Sequence, residues 1–150
     1  MLEKDISLSL QQALKAGEKI KISTLRLLVN DIKNRKIAER TAELEDPAVI
    51  GIIHKMVKQR RESIEQFKQG GRDDLVEIEE NELAVLESYL PEQISEGELE
   101  GIVAEVISQT GATSMKEMGK VMKEVMNKVQ GQADGVVVSN MVKKKLSQNR

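Results

Sequence analysis

The 150-residue sequence predicts an all-α protein, and three observations support this fold class. Residues that favour helix, mainly Leu, Ile, Glu, Lys, Gln and Met, dominate the composition, whereas aromatic residues make up 1% of it. Apolar residues recur at spacings of three and four, as in Leu25, Leu28 and Ile32, which is the spacing of a helix face. The strand-like run at 136–138 is short and continues into Met141 at helical spacing, so no strand is predicted.

The first part of the chain divides into long helices. Four are predicted, over residues 2–16, 20–42, 46–69 and 73–89. Gly17 ends the first helix. Asp46 and Pro47 begin the third, because Asp can cap a helix and proline at the first helical position loses no hydrogen bond. Gly70 ends the third helix, and Asp73 places a negative charge at the positive end of the fourth.

A domain boundary is predicted at Leu90 and Pro91, because the residue before a proline disfavours the helical conformation. We expect residues 1–91 to form an N-terminal bundle of about four long helices. Residues 95–150 are expected to form a C-terminal three-helix tail domain. A domain this small is marginally stable, so it can depend on the first domain or on a partner.

The tail has clear start and stop signals for three helices. Ser95 with Glu98, and Ser114 with Glu117, are capping-box pairs that predict two helix starts. Asp134 predicts the third start. The predicted helices end at Gly111, at Gly131 and in the lysines at 143–145.

The net charge of −2 conceals a segregation of charge along the chain. Residues 1–72 carry 15 basic and 10 acidic side chains, a net charge of +5. Residues 73–115 carry 12 acidic side chains and no basic ones, and residues 116–150 carry 8 basic and 3 acidic ones. Two basic blocks therefore flank an acidic block, which can pair with a basic block and shield it. The acids considered for this shielding are Glu79, Glu80 and Glu82.

A dense basic cluster lies on the third predicted helix and just after it. Its members are Lys55, Lys58, Arg60, Arg61, Lys68 and Arg72. Two interpretations remain open: a solvated face that pairs with Glu62 and Glu65, or a surface that binds anions or nucleic acid. Phe67 and Tyr89 are the chain's aromatic residues, so any RNA contact is expected to involve backbone and shape rather than base stacking.

A methionine stripe in the tail has the spacing of a helix face. Its members are Met115, Met118, Met122 and Met126. It predicts either the core of the three-helix unit or an adaptable surface for a protein partner, since methionine fills irregular gaps. Gly119 lies in the same helix and costs about 1 kcal/mol relative to alanine. That cost predicts that another backbone passes close to Gly119.

The sequence predicts no catalytic residue, metal site or cofactor. It has no cysteine, no Gly-x-Ser-x-Gly elbow and no phosphate-binding loop. The single histidine, His54, lacks the preceding glutamate of a helical di-iron site, and its apolar neighbours predict an interior or edge position. Glu79 and Glu82 share a helix face but do not complete a metal site.

The absence of cysteine is compatible with a reducing cytosol, and the N-terminus lacks the apolar core of a signal peptide. The apolar runs are too short to span a bilayer. We therefore expect a cytoplasmic protein without membrane contact.

Five short motifs, in order along nearly the whole chain, resemble the YqeY-like family. They are KQRRESI at 58–64, GGRDDL at 70–75, YLPEQ at 89–93, MGKVM at 118–122 and GQADG at 131–135. This family is related to the C-terminal part of the B subunit of the bacterial glutamyl-tRNA(Gln)/aspartyl-tRNA(Asn) amidotransferase. The resemblance implies a helical domain and a three-helix tail, similar to the region that grips tRNA. The subunit's kinase-like catalytic part has no counterpart here, so glutamine-dependent carbon–nitrogen ligase activity is not expected of this chain alone.

One loop departs from the family pattern. That pattern reads Gly-Arg-Ala-Asp-Gly-Lys, whereas Gln132 replaces the arginine and Val136 the lysine here. Two potential phosphate contacts are therefore missing. Asp134 and Gly135 remain and are expected to form a helix cap and a tight turn. The other structural turn and cap positions are Pro91, Gly119 and Gly131.

The resemblance and the charge pattern together favour a non-catalytic protein that binds tRNA or a tRNA-handling partner. In the first domain the expected phosphate contacts are Lys58, Arg61, Lys68 and Arg72. In the tail they are Lys116, Lys120, Lys123, Lys143 and Lys144. The alternative is an adaptor that docks on a protein through the Met-rich tail, and an amidotransferase-type enzyme ranks third.

Overall fold

The computed structural model describes residues 1–148, and within them every regular element is a helix, which confirms the all-α fold class. The chain divides into two compact units, Met1–Leu90 and Pro91–Arg150. Each unit has its own hydrophobic core.

The first unit contains four helices. They are α1 (Leu2–Ala16), α2 (Lys19–Glu39), α3 (Asp46–Gln69) and α4 (Asp73–Glu87). Helix α2 ends three residues before the predicted position 42, because Arg40 adopts a left-handed conformation with φ 54°. Thr41 then begins a turn in which its Oγ1 donates a hydrogen bond to the Glu43 carbonyl at 2.8 Å. Helix α4 ends at Glu87 rather than at residue 89.

Asp46 has a different partner from the one predicted. It is the first residue of α3 and makes no capping hydrogen bond to its own helix, whose N-cap is Glu45. Its Oδ1 accepts a hydrogen bond from the backbone N–H of Leu2 at 2.9 Å. The Asp46 carboxylate therefore satisfies an otherwise unpaired amide at the start of α1 while it lies near the positive end of the α3 dipole.

The core of the first unit draws on all four helices. Its fully buried side chains include Ile6, Leu25, Leu28, Ile53 and Leu86. Helix α3 packs most extensively on α4, and α1 packs on α2. His54 lies among the buried side chains of α3, as its apolar neighbours predicted.

Glu3 connects three segments of the first unit. Its Oε1 forms an ion pair with Lys36 Nζ in α2, and its Oε2 accepts a hydrogen bond from the Leu44 N–H at 3.2 Å. The hydrogen bond from Lys36 is the largest influence on the Glu3 carboxyl and lowers its pKa, although burial opposes the shift. The folded state therefore favours the charged form of Glu3.

The second unit contains three α-helices and one short 3-10 helix. They are α5 (Glu96–Thr110), the 3-10 helix (Met115–Glu117), α6 (Met118–Val129) and α7 (Gly135–Gln148). The Ser95 side chain caps α5 by accepting a hydrogen bond from the Glu98 N–H at 3.1 Å. Ser114 and Glu117 form both hydrogen bonds of a capping box. Gly135, expected in a tight turn, is the first residue of α7.

The second core explains most of the methionine stripe. Val121, Val125 and Val129 of α6 are fully buried. Met118, Met122 and Met126 are partly buried and pack against the core that these valines belong to, whereas Met115 is 45% exposed. The structure thus favours the core interpretation for three of the four methionines.

No neighbour explains Gly119 in the described residues. A Cβ atom built on Gly119 has no atom within 4 Å outside its own helix backbone and chain neighbours. The predicted close approach of another backbone is therefore wrong. The glycine lies in open space, so its conformational cost is not offset by packing.

We expect Gly119→Ala to raise the free energy of unfolding by about 0.5–1 kcal/mol, because alanine restricts the unfolded chain and meets no clash in the folded helix. Urea unfolding followed by circular dichroism measures this gain. Gly111→Ala is the matched control: Gly111 has a φ of 69°, so alanine there should destabilise the protein. A loss of stability in Gly119→Ala would contradict the open environment of Gly119.

The Glu3 pairing predicts a pH-dependent contribution to stability. Because folding lowers the pKa of Glu3 below 4.5, its stabilisation is complete above that value and is lost as the pH falls through the lowered pKa. Glu3→Gln should therefore be less stable than the wild type near pH 7, and the gap should close in strongly acidic solution. Unfolding midpoints across this pH range test the expectation, with exposed Glu62→Gln as the control. A gap that stays constant down to the lowest pH would contradict it.

Candidate nucleic-acid interface

Helix α4 places carboxylates beside arginines of α3 and of the turn that follows it. Arg61 Nη2 lies 2.9 Å from Glu87 Oε1. Arg72 donates from Nε and Nη2 to the two carboxylate oxygens of Asp74, both at 3.2 Å, and this pairing raises the pKa of Arg72 and lowers that of Asp74. Arg61 and Arg72 were both predicted to contact phosphate. In this structure each of them already has a carboxylate partner.

Arg60 forms a buried cluster with the acids of α4. It is 9% exposed, and its Nη1 donates to the Met56 carbonyl at 3.3 Å. Its Nε lies 3.3 Å from Glu82 Oε2, but without hydrogen-bond geometry, and no other described residue accepts from it. Burial, followed by the nearby charge of Glu82, raises the pKa of Glu79. This cluster belongs to the interior of the α3–α4 pair rather than to a surface that could bind an anion.

The acidic block pairs with three members of the basic cluster, and one of the three pairs uses a predicted carboxylate. Of the three acids considered for shielding, Glu82 alone forms an ion pair within residues 1–148, and its partner is the buried Arg60. The pairs to Arg61 and Arg72 use Glu87 and Asp74. The shielding therefore acts on two of the predicted phosphate contacts.

Lys58 and Lys68 are the remaining predicted contacts in the first unit. Both are exposed, and neither forms an ion pair in the part of the chain that the structure describes. Glu62 and Glu65 are also exposed and lie between them in sequence on α3. The exposed surface of α3 is therefore mixed in charge.

Three lysines line one side of the 3-10 helix and α6 in the second unit. Lys116, Lys120 and Lys123 follow each other at spacings of four and three and are exposed. Because 3.6 residues make one helical turn, these lysines lie on the side opposite the buried Val125 and Val129. No carboxylate of residues 1–148 forms an ion pair with them.

Two other lysines form ion pairs with carboxylates of the acidic helix α5. Lys128 Nζ lies 3.4 Å from Glu105 Oε1, and Lys145 Nζ lies 2.6 Å from Glu100 Oε1. The Lys145 hydrogen bond lowers the pKa of Glu100. The five lysines predicted to contact phosphate in the tail, including Lys143 and Lys144 of α7, are exposed and outside these pairs.

The loop before α7 has structural contacts. Gln93 Nε2 donates to the Gly131 carbonyl at 3.1 Å, and the Ile94 N–H donates to the Gln132 carbonyl at 3.0 Å. Asp134 Oδ1 accepts a hydrogen bond at 3.1 Å from an amide in the first turn of α7. This loop therefore binds the segment after Pro91 through hydrogen bonds, and its Asp134 caps the start of α7.

The sequence predictions did not include a row of basic residues on α2. Four exposed residues recur at intervals of seven and are named here the α2 stripe: Lys19, Arg26, Lys33 and Arg40. No ion pair in the described chain involves any of them. The regular spacing is visible in the sequence. It does not appear when charges are summed over residues 1–72, because the sum also includes the acids of that block.

Residues 1–148 hold no group of three or more His, Asp or Glu side chains placed to bind a metal ion. None of their helices combines the length and apolar character needed to cross a bilayer. A shallow depression in the first unit lies between the start of α2 and α4. It is lined by Glu18, Lys19, Ile20, Lys21, Asn81 and Val85.

Sequence comparison finds similarity to one family over most of the chain. The model of the family described as Yqey-like protein matches residues 3–146. A relative from Pyrenophora tritici-repentis, named Altered inheritance of mitochondria protein 41, mitochondrial, is 32% identical over 143 residues, 93% of this chain and 75% of the relative. The protein of the same name from Lachancea thermotolerans is 32% identical over 102 residues, 67% of this chain and 54% of the relative.

A third relative with that name, from Eremothecium gossypii, is 41% identical over 81 residues, which cover 54% of this chain and 44% of the relative. The chain thus spans about half the length of the Lachancea and Eremothecium proteins that it matches. The names of all three state a mitochondrial location, which overturns the cytoplasmic location predicted from the sequence. That prediction was wrong because a lack of cysteine does not distinguish one compartment from another.

The family match extends across both units, from α1 to the last turns of α7, and the motifs at 58–64, 70–75, 89–93, 118–122 and 131–135 all lie within it. The chain therefore belongs to the YqeY-like family.

Proposed function

We propose that this chain binds tRNA, or a protein that handles tRNA, through contacts to phosphates and without catalysis of its own. The observation that carries the proposal is the row of Lys116, Lys120 and Lys123, exposed on one side of the 3-10 helix and α6 and outside the ion pairs of the second unit. The resemblance to the tRNA-gripping region of the amidotransferase B subunit supports the same class of partner.

The proposal includes an assignment of the two units. Residues 1–91 correspond to the helical domain of the family and residues 95–150 to its three-helix tail. In this assignment the tail carries the phosphate contacts, because its lysines remain available while Arg61 and Arg72 of the first unit are paired with acids.

The chemistry of the tail lysines fits a phosphate backbone better than a base edge. A lysine ammonium is a compact point charge on a flexible stem, which suits an anion whose position varies. Sequence-specific readout of RNA relies largely on stacking aromatic side chains, and the tail from residue 95 onward has none. Binding should therefore depend on charge and helix shape and should respond strongly to salt.

The double variant Lys120→Gln/Lys123→Gln should weaken binding to a tRNA transcript. Loss of two phosphate contacts should also reduce the slope of log K against log salt by about 1.4–1.8. The matched control is Lys128→Gln/Lys145→Gln, which removes the same charge from lysines already paired with α5. Filter-binding titrations over a range of salt concentrations measure both.

Absence of binding between the wild-type protein and tRNA at low salt would overturn the proposed function. Equal loss in the two double variants would show that net charge, rather than the α6 row, determines affinity.

A second function, an adaptor for a protein partner, has one observation in its favour. Met115, Val136 and Val137 are 45%, 52% and 49% exposed. Met115 begins the 3-10 helix, and the two valines lie in the first turn of α7. An adaptor would retain its partner after nuclease treatment, whereas an RNA-mediated complex would not.

The adaptor function predicts that Val136→Ser/Val137→Ser abolishes a nuclease-resistant complex, because the two valines would be part of the apolar contact. Pull-down from nuclease-treated extract, followed by reconstitution with the purified partner, measures this. Leu8→Ser/Leu14→Ser changes exposed apolar residues of the first unit and is the control. Retention of the complex by the valine variant would contradict the adaptor function at this surface.

A further inference from the structure

The α2 stripe is regular in spacing and direction. Lys19, Arg26 and Lys33 are separated by seven residues each, which is nearly two turns of helix and about 10.5 Å. The direction drifts by only about 20° with each interval of seven. Arg40 continues the series at the C-cap, so the stripe extends for about 30 Å.

The stripe lies on an exposed side of α2. Leu28 is buried, and positions 26 and 33 lie about 140–160° around the helix from it at 100° per residue. They lie about 80–120° from the buried Leu25 and Ile32, so the stripe borders the inner side of the helix. All four of its side chains are exposed, and Lys19 also lines the depression between α2 and α4.

The acids of the first unit leave this stripe unpaired. On α2 itself, Glu39 pairs with Arg35, and Lys36 pairs with Glu3 of α1, so these acids contact cations outside the stripe. Asp31, the other acid of α2, forms no ion pair in the described chain and lies about 140–160° around the helix from Arg26 and Lys33. The residues four positions after each cation within the helix are uncharged: Ser23, Asn30 and Ile37. In contrast to α3, where Glu62 and Glu65 alternate with the lysines, the outer side of α2 carries charge of one sign.

We propose that the α2 stripe binds the phosphate backbone of RNA. This inference rests on the RNA-binding function proposed above and adds to it a surface on the first unit. Each nucleotide of an RNA strand carries one negatively charged phosphate, so a surface of about 30 Å meets several of them. A row of separated cations can then contact phosphates in many registers, which suits recognition without base readout.

An anionic membrane is a less suitable partner for the same charges. Helices that bind at a bilayer surface insert an apolar side below their basic residues. The buried apolar residues of α2 are committed to the protein core. Its exposed apolar residues, Ile20, Leu27 and Ile37, are seven and ten residues apart and form no continuous apolar side that could insert into a bilayer. The stripe therefore offers mainly charge, which fits a polyanion.

The test is a triple variant, Lys19→Gln/Arg26→Gln/Lys33→Gln, in the full chain. Glutamine has nearly the same helix propensity as lysine and arginine, so α2 should be retained. Loss of three contacts should lower the slope of log K against log salt by about 2–3 for a tRNA transcript. At 0.1 M salt this corresponds to affinity that is weaker by a factor on the order of one hundred.

The matched control is Lys4→Gln/Lys15→Gln/Lys55→Gln, which removes three exposed charges of the same unit that are not among the predicted phosphate contacts. The inference expects a clear loss in the α2 variant and a smaller one in the control variant. If the wild type binds tRNA and the α2 variant binds equally well, or if the α2 and control variants lose affinity equally, the α2 assignment fails while the proposed function stands.

A second experiment, with lipid vesicles, distinguishes RNA from lipid as the ligand of the stripe. Wild-type protein and the α2 triple variant are each mixed with vesicles of phosphatidylcholine containing phosphatidylserine and sedimented, in the buffer used for tRNA. Binding to tRNA without retention on vesicles supports the inference. Retention on vesicles through the stripe, without binding to tRNA, overturns both the inference and the proposed function.

Discussion

The packing of α4 against α3 determines which cations of the first unit remain available. Arg60 is buried beside Glu82, and a buried charge that loses its partner costs about 3–5 kcal/mol. Glu82 of α4 is therefore required by the interior of the helix pair, whereas Glu87 pairs with Arg61 at the exposed surface. The acidic block of the sequence thus has a partly structural role, since it pairs with three of the six members of the basic cluster.

The same division of charge occurs in the second unit. The apolar core holds α6 and α7 against α5, and acids of α5 pair with Lys128 and Lys145 at the edge of that contact. The lysines on the outer side of α6 remain outside these pairs. In both units, availability for a ligand depends on whether a cation has a carboxylate neighbour and not on the density of basic residues in the sequence.

The sequence was sufficient to predict the helical class, because capping and periodicity are local properties: the Ser95 cap and the capping box at Ser114 form as expected. It was insufficient where the outcome depends on tertiary neighbours. Arg40 ends α2 in a left-handed conformation that non-glycine residues seldom adopt, and Gly119 has no close neighbour. Ion pairing was hardest to predict, since Arg61 bonds to Glu87, 26 residues away, rather than to a glutamate one turn away. The α2 stripe could have been found in the sequence from the spacing of seven residues between its members.

The two cationic surfaces differ in their cost to the free protein. Like charges one turn apart on a helix destabilise it by about 0.2–0.5 kcal/mol per pair, and this applies to Lys116, Lys120 and Lys123 on the 3-10 helix and α6. In the α2 stripe the spacing is about 10.5 Å, close to the Debye length of about 10 Å at 0.1 M salt, so mutual repulsion is largely screened. A bound polyanion would contact each cation directly, so salt would screen the attraction between cation and phosphate less than it screens the repulsion between the cations. The spacing of seven residues therefore preserves attraction to a polyanion while it limits the repulsion between these cations in the unbound protein.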